Sequence, residues 1–333
     1  MARSHLTLAA LATSAVPGLD LTASTSFSGR ERNDFDTAIL TGRDGRHWII
    51  RVPRNARAEA EQSADLVALR ALSAGVRTRL PFAVSAFAGQ VPVDSTRAIV
   101  YEFVYGAKVP LASYDAGPGS LAASVGSAIA AIHSLPTSVV ADAGLPTVSA
   151  SDTVRSCVTV MDRAAATGLV PAALLGRWER AVEDAALWQF QPTVINGALG
   201  ADSFLSSEGA VSGILGWHEL RVGDPARDVR WLLAGPNESV IGTAFDSYSR
   251  ALGTSDRHAR QRATFYAELE VAKWLLHGTD ARNTEIVDDA VAMLTGLVDD
   301  VRNDVMNPLG APTMPTMAVD EVEAFLARSE RAV

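Results

Sequence analysis

Residues 36–52 read DTAILTGRDGRHWIIRV, two runs rich in β-branched and aromatic residues that meet at Asp44-Gly45. An Asp-Gly pair supplies the positive φ angles of a tight turn, so the runs are predicted to fold back on each other as an antiparallel hairpin. A hairpin this early in the chain needs cover for its apolar face, and the next segment offers it. NARAEAEQSADLVALRALSAG sets Ala64, Val67, Ala68, Ala71 and Leu72 at helical spacing before Gly75 ends the run. RLPFAVSAFAG and TRAIVYEFVYG then resume strand character. The order strand, strand, helix, strand, strand predicts a small antiparallel sheet of about five strands with one packed helix, over residues 20–105. Ahead of it, MARSHLTLAALATSAVPG has a weak positive region and is interrupted by His5 and two threonines. It is therefore read as an amphipathic helix ending near Pro17 and Gly18, with no export expected.

Beyond residue 111 the periodicity becomes helical. Leu121, Val125, Ala128, Ile129 and Ile132 form one apolar stripe that stops at Pro136. Two more helices are expected up to and including PAALLGRWERAVEDAALWQ, followed by a second hairpin turning at Glu208-Gly209. Helices are predicted over 239–252, 257–277 and 284–303, then a connector at MNPLGAPTMPTM and a short helix from Val319 to Arg328. The division is thus a strand-rich lobe over 1–105, a helical lobe over 106–304, and a connector with terminal helix over 305–333.

Composition narrows the partners. The 29 Lys and Arg against 38 Asp and Glu leave a net charge of −9 without an acidic block, which argues against a nucleic-acid partner. Cys157 is the single cysteine, so an internal disulfide and a Cys-rich metal site are excluded and a reducing cytoplasm is the expected location. No run reaches the roughly eighteen apolar residues of a membrane span, so no membrane partner is expected. His133 and His218 lack companions at metal-ligand spacing and are read as packing residues.

The segment VINGALGADSFL, then AVSGILGW, then RVGDPARD, within residues 191–228, resembles the catalytic segment of the aminoglycoside and macrolide phosphotransferase family. In that family the pattern is His-Gly-Asp-Leu, an Asn or His before a strand, Ile-Asp-Trp, and Asp-Pro-Ala with a further Asp. DGRHWIIRVPRN and RLPFAV are similar to the macrolide kinase branch, as is AIAAIHSLP to the family's first large helix, so the resemblance covers roughly residues 20 to 300. It implies an α+β, bilobal, protein-kinase-like fold with nucleotide, ATP or GTP, in the cleft between lobes. It also implies a small-molecule, macrolide-like ligand; nothing in the sequence specifies a protein partner.

The resemblance assigns chemistry that these residues lack. The family's base position falls on Ala198, following Asn196-Gly197, its metal-binding polar residue on Ser203, and its metal-binding Asp on Gly216, just before Trp217. A base accepts the acceptor hydroxyl's proton and carboxylates hold the metal that neutralises the phosphates, so losing both predicts a degenerate catalytic segment and weak or absent Mg2+ binding. Losing a general base alone typically costs about 10²- to 10⁴-fold in rate. Displaced acids are the alternative: Asp202 beside Ser203, Glu219 three residues after Gly216, and Glu208 and Asp224 nearby. Arg51 takes the strand position of the phosphate-contacting lysine or reads equally as an outward strand charge, with Asp65 and Glu61 as candidate helix partners. Backbone groups around Glu102, Phe103 and Val104 are expected to meet a nucleotide base. The phosphate-covering turn SFSGRERNDFDTAI has one glycine, Gly29, and its Asp34 and Asp36 would repel phosphate. Asp224 reads as a helix N-cap, and Asp228 either as the family's loop-supporting Asp or as an exposed helical carboxylate. Phe265, Glu268, Glu270 and Trp274 either face an acceptor or divide into core and solvated faces. Three functions follow: a pseudokinase that binds a small molecule or a partner, an active antibiotic O-phosphotransferase using displaced acids, or a structural interaction protein.

Overall fold

A computed structural model describes residues 3–27, 34–253 and 256–303. The first helix, α1 (His5–Ala15), begins where the Ser4 hydroxyl accepts from the Thr7 amide. It is followed by β1 (Leu21–Ser26), β2 (Phe35–Gly42), β3 (His47–Pro53), α2 (Ala56–Ala71), a single turn α3 (Ala74–Arg77), β4 (Ala83–Val84), β5 (Phe87–Val93) and β6 (Thr96–Glu102). Five of these strands form an antiparallel sheet in the order β1-β2-β3-β6-β5. The first hairpin turns where the sequence predicts it, with Gly45 at φ 79° and the Asp44 carboxylate accepting from the Arg46 amide at 3.0 Å.

Strand alternation gives this sheet two different faces. Leu40, Trp48, Ile50, Val52 and Val100 pack under Leu8 and Ala12 of α1, closing a small outer core. Ile99 and Tyr101 point the other way and join the main core with α2. That helix forms as predicted, but its buried side is Ala58, Leu66, Ala68 and Leu69, with Val67 turned outward at 43% exposure. Small side chains recur all round it, so the leucines, which remove more apolar area from water, decide which face goes inward. The helix ends at Ala71, and Gly75 lies inside α3.

The short strand β4 leaves the first sheet, where RLPFAV was expected to stay. It pairs in parallel with β9 (Ala210–Ile214), whose antiparallel hairpin partner is β8 (Phe204–Ser207). Their turn places Glu208 at φ 53° and Gly209 at φ 78°, as the Glu-Gly signal predicts. The helical region comprises α4 (Leu121–His133), the single turn α5 (Ser138–Ala141), α6 (Ala150–Ala165), α7 (Ala172–Glu183), the short α8 (Ala226–Val229), α9 (Glu238–Leu252), α10 (Ala259–Asp280) and α11 (Thr284–Asn303). Helices α4 and α9 press so close at Gly126 that a Cβ there would lie 2.1 Å from the Ala244 carbonyl oxygen. A two-stranded ribbon of β7 (Thr193–Ile195) and β10 (Arg221–Gly223) threads between these helices. The result is the kinase-like arrangement of an antiparallel N-terminal sheet region and a helical C-terminal region. The connector at 306–317 and the helix expected over 319–328 lie outside the described residues.

Candidate functional site

Ribbon β7–β10 delivers Asn196-Gly197-Ala198-Leu199 to the cleft side of the helical region, and Asp228 holds it there. One carboxylate oxygen of Asp228 accepts the Asn196 amide at 2.7 Å, and the other accepts the Gly197 amide at 2.7 Å. Asp228 also lies 3.2 Å from His133 Nε2, whose Nδ1 meets the Tyr248 hydroxyl at 2.9 Å. Both Asp228 and His133 are buried, so the exposed-carboxylate reading of Asp228 is corrected. A carboxylate at zero exposure survives only with its lone pairs filled, and the loop amides fill them.

Asn196, expected at the family's His position, hydrogen-bonds to the backbone of two of the positions singled out in the sequence. Its Oδ1 accepts the Ala198 amide at 3.1 Å, and its Nδ2 donates to the Gly216 carbonyl at 2.8 Å. The next residue, Trp217, donates its backbone N–H to Asp65 Oδ1 on α2 at 2.7 Å. A continuous hydrogen-bonded path therefore runs from the strand-rich region to the loop. Gly216 is exposed in the left-handed region at φ 74°, and a Cβ built on it would meet nothing within 4 Å.

The charged residues expected in the cleft fall into two groups. Arg51 stacks over the Phe35 ring at 4.0 Å, on the sheet face that looks toward α2, where its charge acts on Asp65. Burial pushes the Asp65 carboxyl above its usual range, against the Trp217 amide and Arg51, which favour the anion. Asp36 does not face a phosphate: it is buried and paired with Arg3 at 3.1 Å and Arg54 at 2.6 Å. Asp34 accepts from the Asn55 side chain at 2.8 Å, and Gly29 lies outside the described residues. In the linker after β6, the Glu102 amide donates to Ala86 and the Phe103 amide to His47. Among the described residues no backbone hydrogen bond takes the amides of Val104, Tyr105 or Gly106. Phe103 and Tyr105 stack edge-to-face at 5.1 Å, and the Tyr105 hydroxyl meets His47 at 2.9 Å, which stiffens the segment.

The acids expected as substitutes lie in different settings. Asp202 is exposed, and its charge adds to the burial that pushes the Tyr114 hydroxyl up to about 12. Glu219 is ion-paired with Arg221. Glu208 sits exposed in the hairpin turn, and the Ser203 hydroxyl accepts the Gly200 amide at 3.3 Å. Mg2+ is normally held by one or two carboxylates plus phosphate oxygens. A methyl, a committed hydroxyl and a glycine do not supply that donor set, and among the described residues no group of three or more His, Cys, Asp or Glu could hold a metal ion.

Side chains distant in sequence complete the frame, and local pattern gives no sign of them. Asp224, read as a helix cap, does accept the Ala226 amide, but it also accepts Arg262 at 2.8 and 3.0 Å and the Tyr266 hydroxyl at 2.8 Å. Asp224 and neighbouring Asp256 raise the Arg262 pKa despite the opposing effect of burial. Phe265 is wholly buried and Glu268 is enclosed with Arg177 and Trp178, so neither faces an acceptor. Trp274 donates to Asp289 at 2.8 Å and stacks on His277, while Glu270 borders a cavity described below. His218 lies 4.0 Å from Glu61.

Asp65 offers a pH test. An acid whose folded pKa is raised binds its proton more readily in the native state, so its contribution to stability falls as pH rises from its unfolded value toward the raised one. Asp65→Asn keeps an acceptor for Trp217 and removes this titration. In urea titrations the stability of the natural chain relative to Asp65→Asn should therefore decline as pH rises from about 4, the ordinary Asp value. A rising or flat difference would contradict the assignment.

The phosphotransferase enzyme family matches residues 28–275. Among solved structures, the apoenzyme of macrolide 2'-phosphotransferase MphH from Brachybacterium faecium is 21% identical with a TM-score of 0.71, over 87% of this chain and 98% of that one. A macrolide 2'-phosphotransferase type I is 26% identical with a TM-score of 0.68, over 88% and 98%. The GDP complex of aminoglycoside 2'-phosphotransferase-IIIa is 16% identical with a TM-score of 0.71, over 90% and 100%. The uncharacterized protein YcbJ of Bacillus subtilis (strain 168) is 24% identical over 211 residues, 59% of this chain, which spans 65% of that protein's length.

Proposed function

The chain belongs to the phosphotransferase enzyme family, and we propose that within it this protein is a pseudokinase: a binder of small molecules whose cleft no longer performs metal-dependent phosphoryl transfer. One observation carries this reading. The loop is held at full strength by Asp228, His133 and Asn196, while the three positions that would act on substrate and metal are Ala198, Ser203 and Gly216.

In this reading each residue has a physical task. The Val104 amide donates to a nucleotide base, and Arg51, steadied by Phe35 and the charge of Asp65, offers a cation to phosphate. At the base position no side chain is ready to take a proton from an acceptor hydroxyl, because Ala198 has no acceptor atom and Asn196 spends both polar atoms within the loop. ATP or GTP can then bind without being consumed. Two macrolide kinases and a GDP-bound aminoglycoside kinase among the similar structures support a nucleotide and a small molecule as the ligand classes. A cytoplasmic location fits this role, and among the described residues no helix is long and apolar enough to cross a membrane.

Calorimetry with ATP and GTP, each with and without magnesium, tests the proposal. The expected result is measurable nucleotide binding with no gain on adding metal. A metal-dependent gain of about tenfold or more, worth roughly 1.4 kcal/mol, would favour the displaced-acid enzyme instead.

A further inference from the structure

A cavity of about 130 Å³ lies between α6, α10 and the segment 221–230. Four of its lining residues are cations, Arg221, Arg227, Arg230 and Lys273, against one carboxylate, Glu270. In a chain with nine more acidic than basic residues, this concentration of positive charge is opposite in sign to the whole molecule. Glu270 is already claimed by Lys273 at 2.8 Å and Arg230 at 3.7 Å, and Arg221 by Glu219. Among the described residues no hydrogen bond or ion pair holds the Arg227 guanidinium. Burial, and after it the neighbouring Arg227, push the Arg221 pKa down against the pull of Asp228.

The cavity adjoins the degenerate loop. Arg221 pairs across the ribbon with Ile195, immediately before Asn196, and Arg227 immediately precedes Asp228. Val160 and Leu269 give it an apolar wall, and Ser156 adds a hydroxyl. With liquid water taking about 30 Å³ per molecule, the space suits a group of a few heavy atoms.

We propose that this cavity is the ligand pocket of the chain and that it selects a small molecule by an anionic group, a carboxylate or a phosphate ester. A guanidinium fork matches either anion in a bidentate way, and the surplus positive charge disfavours amine-bearing antibiotics. The inference rests on the small-molecule reading above and adds the sign of the ligand's charge.

Thermal shift and calorimetry without nucleotide or metal test it. The probes are inorganic phosphate, glycerol 3-phosphate, glycerate, kanamycin and erythromycin. At low ionic strength at least one anion should bind saturably, glycerol 3-phosphate and glycerate distinguishing phosphate ester from carboxylate, while kanamycin and erythromycin should not bind. Arg227→Gln should weaken the anion about tenfold or more, Arg227→Lys should weaken it less, and the remote Arg163→Gln should have no effect. Glu270→Gln, which removes the one negative wall, should tighten anion binding. If Arg227→Gln does not fold, Lys273→Gln must show the loss. No saturable anion binding, equal affinities in Arg227→Gln and Arg163→Gln, or kanamycin binding that Glu270→Gln weakens would each overturn the proposal. A metal-dependent gain in nucleotide affinity would instead sink the pseudokinase reading and leave this pocket standing.

Discussion

Asp228→Ala should lower the unfolding free energy by about 3–5 kcal/mol in urea titrations, because it leaves several buried donors without an acceptor. The amides of Asn196 and Gly197 and the His133 ring all converge on this one carboxylate. Asp228→Asn should recover little. It keeps one acceptor oxygen but turns an NH2 group toward a backbone N–H that Asp228 now satisfies. His133→Gln, which removes one contact at the edge of the network, should cost less than either. Near-neutral stability for Asp228→Ala would mean that the loop is held by packing alone.

The second large effect is a gain. Ala198→Asp, Ser203→Asn and Gly216→Asp together should create magnesium-dependent nucleotide binding, raising affinity about tenfold or more over the metal-free value. Phosphorylation of an acceptor hydroxyl would accompany it if the ligand is present. The single substitutions should do far less, since base, metal and phosphate must be aligned at once and groups acting as a unit are strongly non-additive. Position 216 has open space around a Cβ, and Asp is among the residues that enter the left-handed region at modest cost, on the order of 1 kcal/mol. A folded triple variant that gains no metal dependence, including one carrying a Gly-rich turn at 26–34, would show that the cleft has been remodelled beyond these three positions.

Sequence alone made the hairpins and α4 legible because their signals are local: Asp44-Gly45 and Glu208-Gly209 set their own backbone angles, and the α4 stripe is unambiguous. The register of α2 was not, because alanines on several faces leave the inward side to be chosen by the sheet it packs against. The family pattern assigned roles to Ala198, Ser203 and Gly216, yet the contacts that hold their segment were not readable. Asp228 and His133 are 95 positions apart, and Asp224 and Arg262 are 38 apart. No periodicity encodes pairs so distant. The basic cavity was hidden for the same reason, since its cations come from β10, α8, the turn after it and α10.

The vacant left-handed position at Gly216 also bears on inheritance. A glycine codon ending in a pyrimidine becomes an aspartate codon by changing its middle base alone, and the same is true of the alanine codon for Ala198. Because a Cβ at 216 meets open space, the change there need not pass through an unfolded intermediate. Natural variants carrying Asp at 198 and 216 are therefore the place to look for metal-dependent nucleotide binding.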